Sequence, residues 1–317
     1  MIPTLQSFRF IFVMMIFMSH FAYQGVNAFD AGGDCGVAFF FILSGFVLSL
    51  GYGPRINDGS FCYRRFLSRR LKKLYPLHLL CLLFFLGASH AAIDLRVVLN
   101  ALLLQCWVPD SDYYFACNSV SWFLSCILFC YAVFPWAYRH TSTSMLAVML
   151  LLCGVVYVLL PYRLVNAVLY VHPLLRFVDF FLGIMLCRLY QSMPRRAIPN
   201  WTEVLLVLLL VATLAVYPYT DAKLRNAPLY WLVLLPLIWV FAKGDGPVSR
   251  LLSWKPLQWL GSLSMPIFLT HQMIIGILQR RLPDMPVAVM LTICILAVIL
   301  VSWCIDRFFL RQIARLG

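Results

Sequence analysis

Charge is what this sequence has least of. Asp, Glu, Lys and Arg together supply 12% of the 317 residues, and only 12 side chains are carboxylic. Soluble domains carry roughly 25% charged residues, so a soluble globular protein is excluded. Pro/Ser-rich linkers, low-complexity tracts and repeats of fixed period are also missing. Their absence argues against a string of modules or a solenoid, and for one integral domain over residues 1–317. The 11 cysteines and 6 histidines form no CxxC pair and no cluster at zinc spacing, so neither a metal site nor a tightly bound cofactor is expected.

What abounds is apolar. Hydrophobic residues make up 63% of the chain, in stretches long enough to cross a hydrocarbon core of about 30 Å, which takes roughly 20 residues. Spans are predicted at 5–26, 36–53, 75–90, 120–138, 144–161, 173–190, 202–218, 228–243, 257–278 and 286–306. The fold class is therefore all-α: a polytopic membrane helical bundle of about ten transmembrane helices. Lys and Arg outnumber Asp and Glu 25 to 12. The cations lie in short loops between spans, which points to membrane orientation rather than to a nucleic-acid partner. Seventeen fall on the even-numbered turns and C-terminal tail against six on the opposite side, which puts both termini in the cytoplasm.

Three segments stand apart from the rhythm of spans. Arg9, an apolar run and Val26-Asn27-Ala28 imitate a signal peptide with a cleavage site, but a lone basic residue and an interrupting histidine favour a retained span. Residues 53–76 form a long cytoplasmic connection with a helical second half. Residues 91–119 are too interrupted for a span and are expected to lie in the interface or dip back. Cys35, Cys106 and Cys117 fall on the outer side, where oxidising conditions permit one disulfide.

Ionisable groups inside a span cost several kcal/mol and by default mark function. His20 and His271 each lie about 21 Å from the cytoplasmic end of their span at 1.5 Å per residue, so they are expected to meet in the outer half. A core histidine with a satisfied hydrogen bond is the bland alternative for either one alone. A neutral imidazole suits proton abstraction from an alcohol, and also acyl transfer through the ring nitrogen. Arg9 precedes His20 by eleven residues and shares its helical stripe. Arg176 and Asp179, three apart, can pair on one face, either as a self-neutralising structural pair or as a group that orients a histidine or an acceptor.

The run "YRRFLSRRLKK" aligns Arg65, Arg69 and Lys72 or Lys73 on one face and also carries Arg70. Anchoring to anionic lipid accounts for such a cluster. A sharper reading is a phosphate site for a donor such as an acyl-CoA, because arginine forks match phosphate oxygens bidentately. Ser44 and Gly45 in "GVAFFFILSGFVLS" suit close helix packing. Trp122 in "SWFLSCILFCYAVFP" suits an aromatic belt at the outer interface.

In order, these pieces resemble the membrane acyltransferase-3 family from about residue 5 to residue 275. Arg9 and His20 are similar to its opening arginine and histidine, and "GVAFFFILSGFVLS" to its Leu-Ser-Gly-Phe signature. "SRRLKKLYPLH" resembles its arginine-rich segment, with Arg70 and Lys73 at the two positions of an Arg-x-x-Arg element. "LLRFVDFFLGI" resembles a further segment through Arg176, Asp179, Phe180 and Gly183, and "SMPIFLTHQMI" resembles a late helix through His271. Two departures stand out. No glutamate follows the Trp122-Phe123-Leu124 segment, and Lys73 replaces an arginine, losing bidentate geometry.

The resemblance implies transfer of an acyl group, usually acetyl, from cytoplasmic acyl-CoA to a hydroxyl of an extracytoplasmic polysaccharide or lipid-linked glycan, in a bacterial cytoplasmic membrane. On that reading His20, His271 and Asp179 are catalytic, and Arg9, Arg65, Arg69, Arg70 and Lys73 hold the donor. Arg176, Ser44 and Trp122 serve the substrate or the structure. The expected partners are acetyl-CoA or another acyl-CoA, the glycan acceptor, membrane lipids and a second copy in a homo-oligomer. The rival is a transporter or flippase for a lipid-linked sugar or small organic acid. It calls for repeats and paired broken helices, neither of which the sequence displays.

Overall fold

The computed structural model describes residues 2–27, 29–193, 198–226 and 228–315, and these form an all-helical bundle with one short hairpin. Arg195 and Arg196, counted above in a cytoplasmic turn, and Ala28 of the cleavage-like tripeptide lie outside the described residues. Among the described residues, six helices are long and apolar enough to cross a membrane, or up to eight if each of two bent pairs is one span.

Helix α1 (Pro3–Ser19) starts with proline at its first position, where the missing N–H costs no helical bond. It ends sooner than the predicted 5–26 span. A two-residue turn at Gln24 (φ 49°) and Gly25 (φ 80°) closes a hairpin of β1 (Ala22–Tyr23) and β2 (Val26–Asn27). Such turns need positive φ at both central residues, which glycine supplies without strain. The Tyr23 hydroxyl reaches the carbonyls of Leu282, Pro283 and Met285 at 3.1, 2.6 and 3.1 Å, latching the hairpin to a distant turn.

Helix α2 (Ala31–Asn57) packs on α8 (Pro173–Ser192) with almost no gap. A Cβ added at Gly45 would overlap the Phe180 carbonyl, and one added at Gly183 would overlap the Ile42 carbonyl. Small residues let two backbones meet in this way. Helix α3 (Tyr63–Ser89) carries the cationic run into the bundle. Residues 91–119 are not a span: α4 (Leu95–Ala101) and α5 (Ser111–Tyr114) are short turns, with Asp94 and Asp110 accepting capping bonds from Val97 N and Asp112 N.

The remaining long helices are α6 (Trp122–Arg139), α7 (Thr143–Leu159), α9 (Trp201–Val216) and, after the single turn α10 (Ala222–Arg225), α11 (Pro228–Lys243). After the short α12 (Pro247–Leu252) come α13 (Lys255–Ser262), α14 (Ser264–Arg281), α15 (Val287–Ile305) and α16 (Arg311–Arg315).

Two bends mark the bundle, one before the predicted 173–190 span and one inside the predicted 257–278 span. The chain bends by 51° between Tyr162–Tyr170 and α8, and by 63° between α13 and α14. Pro173 opens α8 and Pro266 sits in the first turn of α14, where proline is tolerated because its missing donor is unneeded. The eleven cysteines are all free, so the disulfide that Cys35, Cys106 and Cys117 would permit is not formed.

Candidate active site

His20 caps the end of α1 rather than sitting within a helix, and His271 lies in the middle of α14, fully buried. Their rings meet, with His271 Nε2 3.2 Å from His20 Nδ1 and centroids 5.0 Å apart. Backbone carbonyls fix both tautomers. His271 Nδ1 is 3.1 Å from Ile267 O and 2.7 Å from Phe268 O, and His20 Nδ1 is 2.9 Å from Ile16 O. A carbonyl only accepts, so each Nδ1 carries its proton in the neutral pair. The one Nδ1 proton of His20 is shared between Ile16 O and the Nε2 lone pair of His271, and the free lone pair of the dyad is His20 Nε2. Buried His271 backs a partly exposed His20, as a carboxylate backs the histidine of a hydrolytic triad.

The segment 91–119, expected from sequence only to lie in the interface or dip back, packs its end against α14 beside this dyad. Asn118 Nδ2 donates to Leu269 O at 2.8 Å, and the Ser119 hydroxyl donates to Gln272 Oε1, flanking His271 on α14. Asn100 ties the segment together, donating to Ala116 O and Ser121 Oγ at 3.0 and 2.9 Å.

Asp179 is placed elsewhere. Its two oxygens accept from Arg176 Nη1 at 3.0 Å and Trp231 Nε1 at 2.6 Å, with Arg176 and Asp179 each 1% exposed. Neither histidine is among its hydrogen-bond partners. Arg176 Nε also donates to Tyr170 O at 2.6 Å, across the 51° bend. The belt position expected of Trp122 is corrected as well: the ring is buried at 4% exposure, 4.7 Å from the Tyr170 ring and 6.0 Å from the Arg176 guanidinium.

Phe268, one turn before His271 on α14, lines a cavity of about 100 Å³ with Arg9, Ser44, Arg70, Lys73, Phe123, Tyr131 and Ser264; neither histidine is among its lining residues. Phe268 stands between the cavity and the dyad, its ring centroid 6.0 Å from that of His271 and 5.1 Å from that of Phe123. Ser44 therefore borders the cavity, while the close packing beside it is made by Gly45. Arg9, Lys73 and Met265 also line an adjoining vestibule of about 510 Å³, together with Gln6, Arg69, Lys72, Asp306 and Arg311.

Among the described residues the ion pairs are Arg96–Asp94, Arg176–Asp179 and Arg311–Asp306, so Arg9, Arg70 and Lys73 face the cavity without a carboxylate partner. Arg70 leans on Tyr52, donating to its hydroxyl at 3.0 Å, and its buried Nε has no partner. Arg65, expected beside these cations, lines neither cavity.

Sequence reasoning missed Tyr131, Ser264, Phe268, Asp306 and Arg311. The first three belong to apolar or small-residue runs with no signal of their own. The last two looked like an ordinary charged tail. No group of His, Cys, Asp and Glu among the described residues is arranged to hold a metal ion.

The family described as "Acyltransferase domain" matches residues 2–307. "Acyltransferase MdmB" of Streptomyces mycarofaciens is 31% identical over 160 residues, covering 44% of this chain and 39% of that protein. The chain thus spans about two fifths of the length of this curated relative. No solved structure matches.

Proposed function

Because the chain belongs to the acyltransferase-domain family, we propose that it moves an acyl group, acetyl in the simplest case, from a cytoplasmic acyl-CoA to a hydroxyl of an extracytoplasmic polysaccharide or lipid-linked glycan. The observation that carries this reading is the histidine dyad one residue, Phe268, away from a cavity whose cations have no carboxylate partners. Arg9, Arg69, Lys72 and Lys73 hold the donor's phosphates in the vestibule, and the thioester arm runs inward past Ser44 and Tyr131 toward Phe268.

His20 Nε2 removes the acceptor hydroxyl proton as its oxygen attacks the thioester carbonyl. The C–S bond then breaks, and the thiolate takes the proton back from His20. While His20 is protonated, His271 Nε2 accepts from its Nδ1–H, stabilising the cation without moving the ring. Asp179 stands outside these steps, joining Arg176 and Trp231 to hold the bent α8 against α11. Ten spans result if the two bent pairs and the shorter helices α1 and α7 all cross. The cation asymmetry then favours cytoplasmic termini, and the family resemblance favours a bacterial cytoplasmic membrane.

The test uses membranes holding the intact protein or His20→Ala at equal abundance, given acetyl-labelled acetyl-CoA and surface glycans. Label is expected in the glycan fraction with the intact protein alone. Equal labelling by both removes His20 from the chemistry.

The two bent spans favour a second reading, a transporter, because broken helices frame substrate sites in that class. Purified protein that neither transfers nor hydrolyses an acyl-CoA, yet moves a lipid-linked sugar across vesicles, selects it.

A further inference from the structure

The cytoplasmic ends of α2 and α3 enclose a side cavity of about 220 Å³ that the proposed reaction does not use. Tyr52, Arg55, Phe61, Cys62, Arg65 and Arg69 line it. Its shape begins in the turn Asp58-Gly59-Ser60. Gly59 takes φ 78°, a conformation in which glycine carries no strain, and Asp58 Oδ1 accepts from Ser60 N at 2.9 Å and Ser60 Oγ at 2.7 Å. Those bonds hold the exposed Asp58 carboxyl below its usual range. The turn folds Phe61 back so that its ring stands edge-on to Tyr52 at 6.1 Å and lies 5.4 Å from Phe66.

Three guanidinium groups border this aromatic concavity, and no carboxylate lines it. None of the three makes an ion pair among the described residues. Arg69 also lines the vestibule, and Arg70, at the inner cavity, bonds the Tyr52 hydroxyl, so the side cavity adjoins the donor route through α3. Cations that serve only to anchor a helix to lipid need no walled hollow and no aromatic floor. Planar rings beside arginine forks match a ligand that has both a flat heterocycle and phosphates.

We propose, resting on the acyl-CoA reading above, that this side cavity receives the nucleoside end of the donor, its purine against Phe61 and its 3′-phosphate on Arg55, Arg65 and Arg69, while the diphosphate stays in the vestibule on Arg9, Lys72 and Lys73. Donor recognition is thereby split between two compartments joined at Arg69. The acyl-bearing arm enters the inner cavity, while the nucleoside end stays at the cytoplasmic surface. This explains why Arg65, which lines no part of the inner route, belongs to the same cationic run.

Cys62 gives a direct readout, because it is the exposed cysteine of the eleven. In nanodiscs of zwitterionic lipid, adenosine 3′,5′-bisphosphate is expected to slow maleimide alkylation of Cys62 roughly tenfold at saturation. Phe61→Leu or Arg55→Ala removes that protection. Absence of protection in the native protein overturns the inference. Equal protection by glycerol phosphate also overturns it, assigning the hollow to a lipid headgroup.

A second arm compares acetyl-CoA with S-acetylpantetheine, which lacks the nucleotide. The preference for acetyl-CoA, taken as the ratio of kcat/KM values, is expected to fall about tenfold in Arg55→Ala. An unchanged ratio in a protein that does use acetyl-CoA overturns the side cavity and leaves the proposed function intact. Protection of Cys62 in a protein that uses neither donor supports the cavity and removes the proposed function.

Discussion

His271 Nε2 and His20 Nδ1 lie 3.2 Å apart although 251 positions separate the two residues in the chain. With the Nδ1 proton of His271 held by backbone carbonyls and that of His20 shared between Ile16 O and His271 Nε2, the pair works as a directed relay with one free nitrogen, on His20. The two members are therefore not equivalent, and substitution separates them.

His20→Ala is expected to lower kcat about 10²- to 10⁴-fold, the range for removing a positioned general base. His271→Gln, whose side-chain oxygen still accepts from His20 Nδ1–H, is expected to retain most activity, whereas His271→Leu loses about tenfold or more through the unmatched imidazolium. Single-turnover transfer from labelled acetyl-CoA distinguishes the three variants.

Asp179→Asn tests a different role. It leaves the Arg176 guanidinium in a fully buried site without its counter-charge, a change that costs about 3–5 kcal/mol. Thermal unfolding in detergent is expected at a clearly lower temperature, with kcat of the folded fraction close to native. A loss of kcat as deep as that of His20→Ala in well-folded protein would instead put Asp179 in the chemistry.

Gly45→Ala and Gly183→Ala each force a methyl group into the backbone of the facing helix. Overpacking of this kind costs about 1–3 kcal/mol, so both variants are expected to unfold earlier than native in a thermal-shift assay. Gly154→Ala, which meets open space, is the control expected to leave stability unchanged or raised.

Arg9 borders both the inner cavity and the vestibule without an acidic partner. Arg9→Gln is expected to raise KM for the acyl-CoA roughly tenfold, the loss of a charge-assisted bond to phosphate. Initial-rate kinetics against donor concentration measure it, and an unchanged KM removes Arg9 from donor binding.

Tyr23→Phe deletes the hydroxyl that reaches three carbonyls of the 282–285 turn. The global cost is about 0.5–1.5 kcal/mol. Amide exchange is expected to rise locally, in residues 22–27 and 282–285, more than elsewhere in the bundle.

Much of this was legible in the chain. Apolar runs fixed where helices form, because a bilayer leaves the backbone no other way to satisfy its hydrogen bonds across a span. Matching depths in two spans brought His20 and His271 forward as partners, and spacing of three paired Arg176 with Asp179. Other features were hidden. The end of α1 at Ser19 depends on a hairpin held by a tyrosine whose acceptors lie some 260 residues away. The bends before α8 and α14 left little mark on hydropathy, which averages over the break.

The sequence alone determined the fold class, the helical segments and the residue types that carry reactive groups, since these follow from local composition and periodicity. The tertiary structure decided which of those groups meet. It set Asp179 against Trp231 and left His271 to back His20. It also sent Arg65 to a side cavity while Arg9 and Lys73 faced the inner one. Such choices depend on how helices distant in the chain rotate and pack against one another, and neither hydropathy nor spacing along a single helix encodes that rotation.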